Sequence, residues 1–127
     1  MRLLIDTQIL LRIAADTAQA SLTEYILDES NELIFSAASI WEMLIKSGLS
    51  RAGYRADPEQ MQKGLLENGY RELAITSEHI LLSGTMPMHH KDPFDRIILA
   101  QSLAEDATVL TNDIIMTKYP AKVIFIK

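Results

Sequence analysis

Short apolar runs alternate with segments of helical periodicity along this chain, and that alternation restricts the possible folds more than any other feature. Runs of strand length lie at 2–5, 32–35, 70–75, 108–111 and 123–126. The segments between them carry apolar residues at helical spacing. Parallel strands need long connections, which are usually helices. The pattern therefore predicts an α/β fold, a three-layer α/β/α sandwich with a central, mainly parallel sheet.

Length and composition favour one domain over residues 1–127. The chain is 48% hydrophobic and contains no Gly/Ser or Pro-rich linker, so it can bury a core of its own. We find neither a signal peptide nor an apolar run of membrane-spanning length. With no cysteines, a disulfide framework and a thiolate metal site are excluded, and a cytoplasmic protein is expected. Any metal must then be held by oxygen or imidazole ligands.

The net charge of -5 argues against a protein that binds nucleic acid through a broadly basic face. A pocket of acidic residues would lower the net charge while basic side chains nearby still met phosphates. Arg51 and Arg55, in a glycine-containing stretch at 48–57, are candidates for such contacts. A solvated loop is the favoured interpretation of that stretch.

Several polar residues are placed to begin helices. Ser21 is predicted to cap a helix over 22–29, and either Ser36 or Ser39 to open the next one. Asp57 before a proline and Thr76 begin two further helices. The boundaries of the helices thus follow from local capping chemistry.

Two carboxylates stand at the carboxyl ends of predicted strands. Asp6 comes after the first strand, and Asp113 after the strand that ends at Thr111. Each has an alternative role as a helix cap. In parallel α/β sheets, however, ligands bind at the carboxyl ends of the strands.

The stretch from His89 to Arg96 holds two histidines and two carboxylates. Asp92 before a proline reads as an N-cap, and Asp95 as the third helical position, where an acid is also favoured by the helix dipole. His89 and His90 raise the possibility of acid–base catalysis. The favoured interpretation makes them surface groups, because metal-activated water does not require them.

Glu42 lies inside a mostly apolar helical segment. Its spacing from Ser39 fits a capping box, and its spacing from Lys46 fits an i,i+4 ion pair. If the helix packs in the core, the carboxylate needs a cation or hydrogen-bond donors. Trp41, on the same segment, and Phe94 are expected in the core rather than as platforms for stacking bases.

The four acids Asp6, Glu42, Asp95 and Asp113 can meet at one rim of a three-layer fold, if the helices that carry Glu42 and Asp95 pack beside the strands. Close carboxylates repel and raise one another's pKa values. A hard divalent cation, Mg²⁺ or Mn²⁺, relieves that repulsion.

The motifs together resemble a known family over nearly the whole chain. They are Leu4-Ile5-Asp6-Thr7, Ser36-Ala37-Ala38-Ser39-Ile40-Trp41-Glu42 with Lys46 and Gly48, Pro87-Met88-His89-His90-Lys91-Asp92-Pro93-Phe94-Asp95-Arg96 with Ala100-Gln101, and Leu110-Thr111-Asn112-Asp113 with Tyr119. In these motifs the chain resembles the PIN-domain ribonucleases, and within them the VapC-type toxins of bacterial type II toxin–antitoxin pairs. The Asp-Pro-Phe-Asp-Arg block is the most specific of them.

The resemblance implies that Asp6, Glu42, Asp95 and Asp113 bind the metal, with Asp6 and Asp95 as the first choice for direct ligands. It implies supporting roles for Thr111, as a hydroxyl neighbour, and for Arg96, which would pair with a carboxylate or phosphate. Asp92 is then a helix cap. Gln8 and Arg12 depart from many relatives, which carry His and an aromatic residue there, and neither departure touches the four acids.

By the same resemblance the chain is a metal-dependent endoribonuclease that activates a water to hydrolyse an RNA phosphodiester, leaving 5′-phosphate and 3′-hydroxyl ends. A cognate antitoxin and a homodimer are implied as partners. The alternative is a non-catalytic PIN-like module that only binds a partner. A dinucleotide-binding module is disfavoured because residues 6–13 contain no glycine.

Overall fold

The protein, a computed structural model, is described over residues 1–15, 20–48, 57–87, 89 and 92–127. Its strands are β1 (Arg2–Ile5), β2 (Glu32–Ser36), β3 (Arg71–Leu73), β4 (Thr108–Thr111) and β5 (Val123–Phe125). The α-helices are α1 (Thr7–Ala14), α2 (Ala20–Leu27), α3 (Ala37–Gly48), α4 (Pro58–Glu67), α5 (Ser77–Ser83) and α6 (Pro93–Ala104), and a 3-10 helix spans Ile114–Lys118.

The five strands form one parallel sheet in the order β3-β2-β1-β4-β5. β1 is the central strand, and Leu3 lies opposite Leu33 of β2 and Thr108 of β4. Helices connect the strands, as parallel pairing requires. The α/β prediction is confirmed, and the carboxyl ends of β1, β2 and β4 lie side by side along one edge.

Two apolar cores cover the two faces of the sheet. Leu4 belongs to the core that includes residues of α5 and α6, whereas Leu3 and Ile5 belong to the one that includes residues of α1, α2 and α4. Successive strand residues point to opposite faces, so β1 is covered on both sides. This explains why its sequence is continuously apolar.

The helix starts follow the predicted caps with one exception. Asp57 and Thr76 are the N-caps of α4 and α5. Ser36 opens α3, since its hydroxyl accepts a 2.9 Å hydrogen bond from the Ala38 amide. The prediction for Ser21 is wrong, because this residue lies inside α2. Serine is tolerated within a helix, so its presence alone does not fix the first turn.

Two local features differ from the sequence-based expectation. β3 ends at Leu73 instead of continuing to residue 75, because Leu73 pairs with Ser36, the last residue of β2, and no partner strand extends further. The 3-10 helix after β4 was not predicted. Arg51 and Arg55 lie outside the described residues. Within the described ranges, no helix is both long and apolar enough to cross a membrane.

Candidate metal centre at the carboxyl edge of the sheet

Asp6 lies at the junction of β1 and α1, where its carboxylate is almost completely buried. Oδ1 accepts a 2.8 Å hydrogen bond from the Thr7 amide, and Oδ2 accepts a 2.7 Å bond from the Thr111 hydroxyl. These two bonds lower the pKa, but burial outweighs them and raises the pKa of Asp6 to about 6. Asp6 is therefore a carboxylate held in place by two donors and kept from solvent.

Asp113 lies across from Asp6, just beyond β4. Its Oδ1 accepts a 3.0 Å hydrogen bond from the Ile115 amide and so caps the 3-10 helix. Its own amide donates to the Thr111 hydroxyl oxygen at 3.0 Å. The Thr111 hydroxyl consequently connects the backbone of Asp113 to the side chain of Asp6.

Glu42 lies on α3, and its side chain is only 3% exposed. One oxygen, Oε2, forms an ion pair with Lys46, as the i,i+4 spacing predicts. The other, Oε1, is buried and has no hydrogen-bond partner among the described residues. A buried acceptor without a partner costs free energy, so a cation or a hydrogen-bond donor beside this oxygen would be favourable.

The capping-box interpretation of Glu42 is wrong. α3 begins at Ala37, so Ser39 is inside the helix and cannot be its cap. The Ser39 hydroxyl instead forms a 2.8 Å hydrogen bond with the Thr7 hydroxyl on α1. This contact ties the helix of Glu42 to the residue that follows Asp6.

Asp95 occupies the third position of α6 and is buried. Burial raises the pKa of Asp95 to about 8, and repulsion from the carboxylates of Asp6, Asp92, Glu42 and Asp113 adds to that increase. All three other acids of the predicted cluster therefore lie close enough to Asp95 to act on its charge. Its pKa is raised further than that of Asp6.

Asp92 has a different local role, although it lies only three residues from Asp95. It is the N-cap of α6, and its Oδ1 accepts a 2.9 Å hydrogen bond from the Phe94 amide. Its Oδ2 lies 3.7 Å from Lys46 Nζ. The two acids of the Asp-Pro-Phe-Asp block thus divide into a helix cap and a buried carboxyl group.

The donor set of this cluster is made only of oxygens, which suits a hard divalent cation. Mutual repulsion, the raised carboxyl pKa values and the unpartnered Oε1 of Glu42 all fit a bound cation. Within the described part of the chain, no three acidic or histidine side chains are already arranged as a metal cage. Mg²⁺ sites commonly use one or two carboxylates and retain several waters, so a complete cage of protein ligands is not required.

Arg96 and His89 contact backbone carbonyl groups and an aromatic ring, respectively. Arg96 donates hydrogen bonds to the carbonyl oxygens of Ser83, Pro87 and Met86 at 2.6, 2.9 and 3.2 Å. These bonds connect α6 to the end of α5 and to the residues that follow it. The pairing of Arg96 with a phosphate stays a prediction. His89 packs edge-on against Tyr119 with ring centroids 5.2 Å apart, whereas His90 lies outside the described residues.

Trp41 is 51% exposed, so its expected place in the core is wrong. Its ring meets Phe94 of α6 in an edge-to-face contact with centroids 4.9 Å apart. The helical spacing of apolar residues on α3 did not reveal this, because Leu44 and Ile45 are exposed as well. Only the packing of the helix shows which of its apolar residues are buried.

Comparisons with known proteins give one family and a group of similar folds. The model of the PIN domain matches residues 3–122. Among solved structures, a chain of VapBC2 from Rickettsia felis bound to a promoter DNA fragment aligns with a TM-score of 0.73 and 17% identity, over 98% of each chain. Chains of DNA-bound VapBC from Salmonella typhimurium and of VapBC-1 from nontypeable Haemophilus influenzae align at TM-scores of 0.69 and 0.64, with 14% and 18% identity, also over 98% of each chain. No curated protein matches the sequence.

Proposed function

The chain belongs to the PIN domain family, and from this premise we propose that it is a metal-dependent endoribonuclease, the toxin of a type II toxin–antitoxin pair. The observation that carries the proposal is the placement of the four acids: the Thr111 hydroxyl links Asp6 to Asp113, and α3 and α6 add the buried carboxyl groups of Glu42 and Asp95. Repulsion from the other three acids raises the pKa of Asp95, in agreement with that placement. A cap needs one carboxylate near a helix end, whereas four that repel one another call for a cation.

The four acids are proposed as the ligands of Mg²⁺ or Mn²⁺, with Asp6 and Asp95 as direct ligands. When bound, the cation supplies Lewis-acid activation of water and stabilises charge on the phosphoryl oxygens. Thr111 orients the Asp6 carboxylate by donating a hydrogen bond to Oδ2. The lone pairs of Asp6 that accept no hydrogen bond are the ones proposed to bind the cation. Lys46 compensates part of the negative charge through Glu42 and Asp92.

The protonation state of Asp95 is part of the proposed chemistry. With a pKa near 8, Asp95 holds a proton at neutral pH when no cation is present. It must lose this proton to act as an anionic ligand, and the cation must therefore compete with it. Cleavage is expected to become faster as the pH rises toward 8.

The test is cleavage of total cellular RNA by the purified protein with Mn²⁺ or Mg²⁺. We expect Asp6→Asn and Asp95→Asn to reduce cleavage by at least about a hundredfold. Asp28→Asn is the matched control, because Asp28 lies in a surface turn where it accepts hydrogen bonds from Ser30. The products should carry 5′-phosphate and 3′-hydroxyl ends. Equal, weak cleavage by all four proteins would refute the nuclease assignment and leave the non-catalytic binding module.

An antitoxin protein and a second copy of the chain are the proposed partners, and cellular RNA in the cytoplasm is the proposed substrate. The three structural neighbours described above are chains of VapBC structures, which supports an antitoxin. A groove of about 500 Å³ runs between α1, α2 and α4 and has mainly apolar walls, which include Leu10, Ile13, Ile26, Leu27, Met61 and Leu65. A groove of this kind suits the apolar face of an antitoxin peptide. The exposed Trp41, Leu44 and Ile45 of α3 suit a contact between two copies.

A further inference from the structure

Three contacts, two of which involve a residue directly before one of the helices, show how α3 and α6 run past each other. At one end, the hydroxyl of Ser36, directly before α3, donates a 2.5 Å hydrogen bond to Oε1 of Gln101. Near the middle, Trp41 meets Phe94. At the other end, Lys46 lies beside Asp92. Residue numbers along α6 decrease as those along α3 increase, so the two helices are antiparallel. A polar contact joins them at each end.

Two of the acids lie between these joints. Glu42 is six residues after Ser36, and Asp95 is six residues before Gln101. Six helical residues span about 9 Å, so the Ser36–Gln101 bond is within about two turns of both carboxylates. We propose that Gln101 is a positioning residue, which holds α3 against α6 through Ser36 and so sets the separation of Glu42 and Asp95 for the cation. This inference rests on the proposed function.

The Lys46–Asp92 and Ser36–Gln101 contacts differ in strength. Lys46 and Asp92 are both about one quarter exposed, and partly exposed ion pairs contribute little to stability. Ser36 and Gln101 are completely buried, so loss of either partner leaves a polar group without water or a replacement. The buried Ser36–Gln101 bond is therefore the stronger of the two polar contacts.

The remaining atoms of Gln101 show that its position is fixed on several sides. Nε2 donates to the carbonyl oxygen of Ala74, after β3, at 3.3 Å and lies 3.4 Å from Nδ1 of His79 on α5. Ser36 needs an acceptor and Ala74 a donor, and the side-chain amide of Gln101 supplies both. Asparagine is one methylene shorter and could not reach both partners from the same backbone position. Gln101 therefore joins α6 to β2, β3 and α5 at once.

Gln101→Met is the variant that tests this role, since it keeps the volume and removes both hydrogen-bonding ends. We expect the Kd for Mn²⁺ to weaken about tenfold, the smaller end of the effect of losing a residue that orients metal ligands. Ser102→Ala is the matched control. Ser102 is also buried on α6, but its hydroxyl donates only to Leu99 within the same helix. Ser102→Ala should keep the wild-type Kd.

Metal-free protein gives a second readout. Trp41 is the single tryptophan of the chain and lies at the α3–α6 contact, so Gln101→Met should shift its emission to longer wavelength and increase its quenching by acrylamide. Ser36→Ala, which removes one oxygen atom, should reproduce both effects and replaces Gln101→Met if that variant does not fold. The double variant should weaken Mn²⁺ binding no further than the more severe single variant, since both remove the same bond.

The outcomes separate the two proposals. If folded Gln101→Met and Ser36→Ala bind Mn²⁺ as wild type does, or if Ser102→Ala weakens binding equally, the positioning role is refuted while the nuclease proposal stands. If wild type binds no Mn²⁺, the proposed function fails. In that case, an unchanged Trp41 emission in Gln101→Met and Ser36→Ala would also show that the Ser36–Gln101 bond does not hold α3 against α6.

Discussion

Thr111 donates a 2.7 Å hydrogen bond to Asp6 Oδ2, although the two residues are 105 positions apart in the chain. Parallel pairing of β1 with β4 brings the carboxyl ends of the two strands together, with Ile5 opposite Leu110. The bond therefore follows from the register of the sheet. The bond fixes the orientation of the Asp6 carboxylate and offsets part of the cost of burying its charge.

Thr111→Val should weaken Mn²⁺ binding about tenfold, because valine keeps the shape of threonine but cannot orient Asp6. Titration calorimetry of the folded variant measures the change. Thr117→Val is the control, since the exposed Thr117 hydroxyl donates only to the carbonyl oxygen of Ile114. Equal affinities of wild type and Thr111→Val would contradict an orienting role for Thr111.

Asp92 and Asp95 should respond differently to the same substitution. Asp92→Asn keeps an oxygen for the Phe94 amide, and asparagine is as good an N-cap as aspartate. We therefore expect RNA cleavage by this variant to stay within a few-fold of wild type, while Asp95→Asn abolishes it. Asp92→Ala should lower the free energy of unfolding by about 1 kcal/mol, as loss of a cap does. Loss of cleavage in Asp92→Asn would make Asp92 part of the metal centre.

The stability of the metal-free protein should fall as the pH rises. The carboxyl pKa of Asp95 is about 8 in the folded chain, against 3.8 for a free side chain, and that of Asp6 is about 6. The folded state therefore binds more protons than the unfolded state between about pH 4 and pH 8, and the free energy of unfolding decreases through that window. Thermal unfolding at a series of pH values measures it.

Asp95→Asn should flatten this dependence and raise the Tm of the metal-free protein near pH 8. Asp28→Asn should leave it unchanged, because hydrogen bonds from Ser30 lower the pKa of Asp28 below this window. Mn²⁺ should stabilise the wild type more at pH 8 than at pH 5, since binding displaces protons. A pH dependence identical in Asp95→Asn and wild type would show that Asp95 is not the group that titrates.

The groove between α1, α2 and α4 should bind the product of a neighbouring reading frame if one encodes an antitoxin. Leu27→Asp places a charge in the groove wall and should abolish co-purification of the two proteins. Leu81→Asp, on α5, should not. The two leucines are 72% and 73% exposed, so neither substitution should damage the core. Equal binding by both variants would exclude the groove as the docking site.

Local chemistry made much of the candidate site predictable. Asp6 and Asp113 follow short apolar runs typical of buried strands, and the Asp-Pro pair at Asp92 marks the start of α6. The pairing of Glu42 with Lys46 follows from helical spacing. Ser21 was misread because serine is common both at helix starts and within helices. The end of β3 was missed because it depends on where its neighbour β2 ends.

By itself, the sequence determined the order of strands and helices and the strand ends at which acids stand, because periodicity and capping act over a few residues. Tertiary structure alone decided that Asp95 and Glu42 reach Asp6, that Trp41 is exposed, and that Gln101 meets Ser36. Those features depend on segments far apart in the chain, and on how the side chains of both cores fill the space between the helices and the sheet.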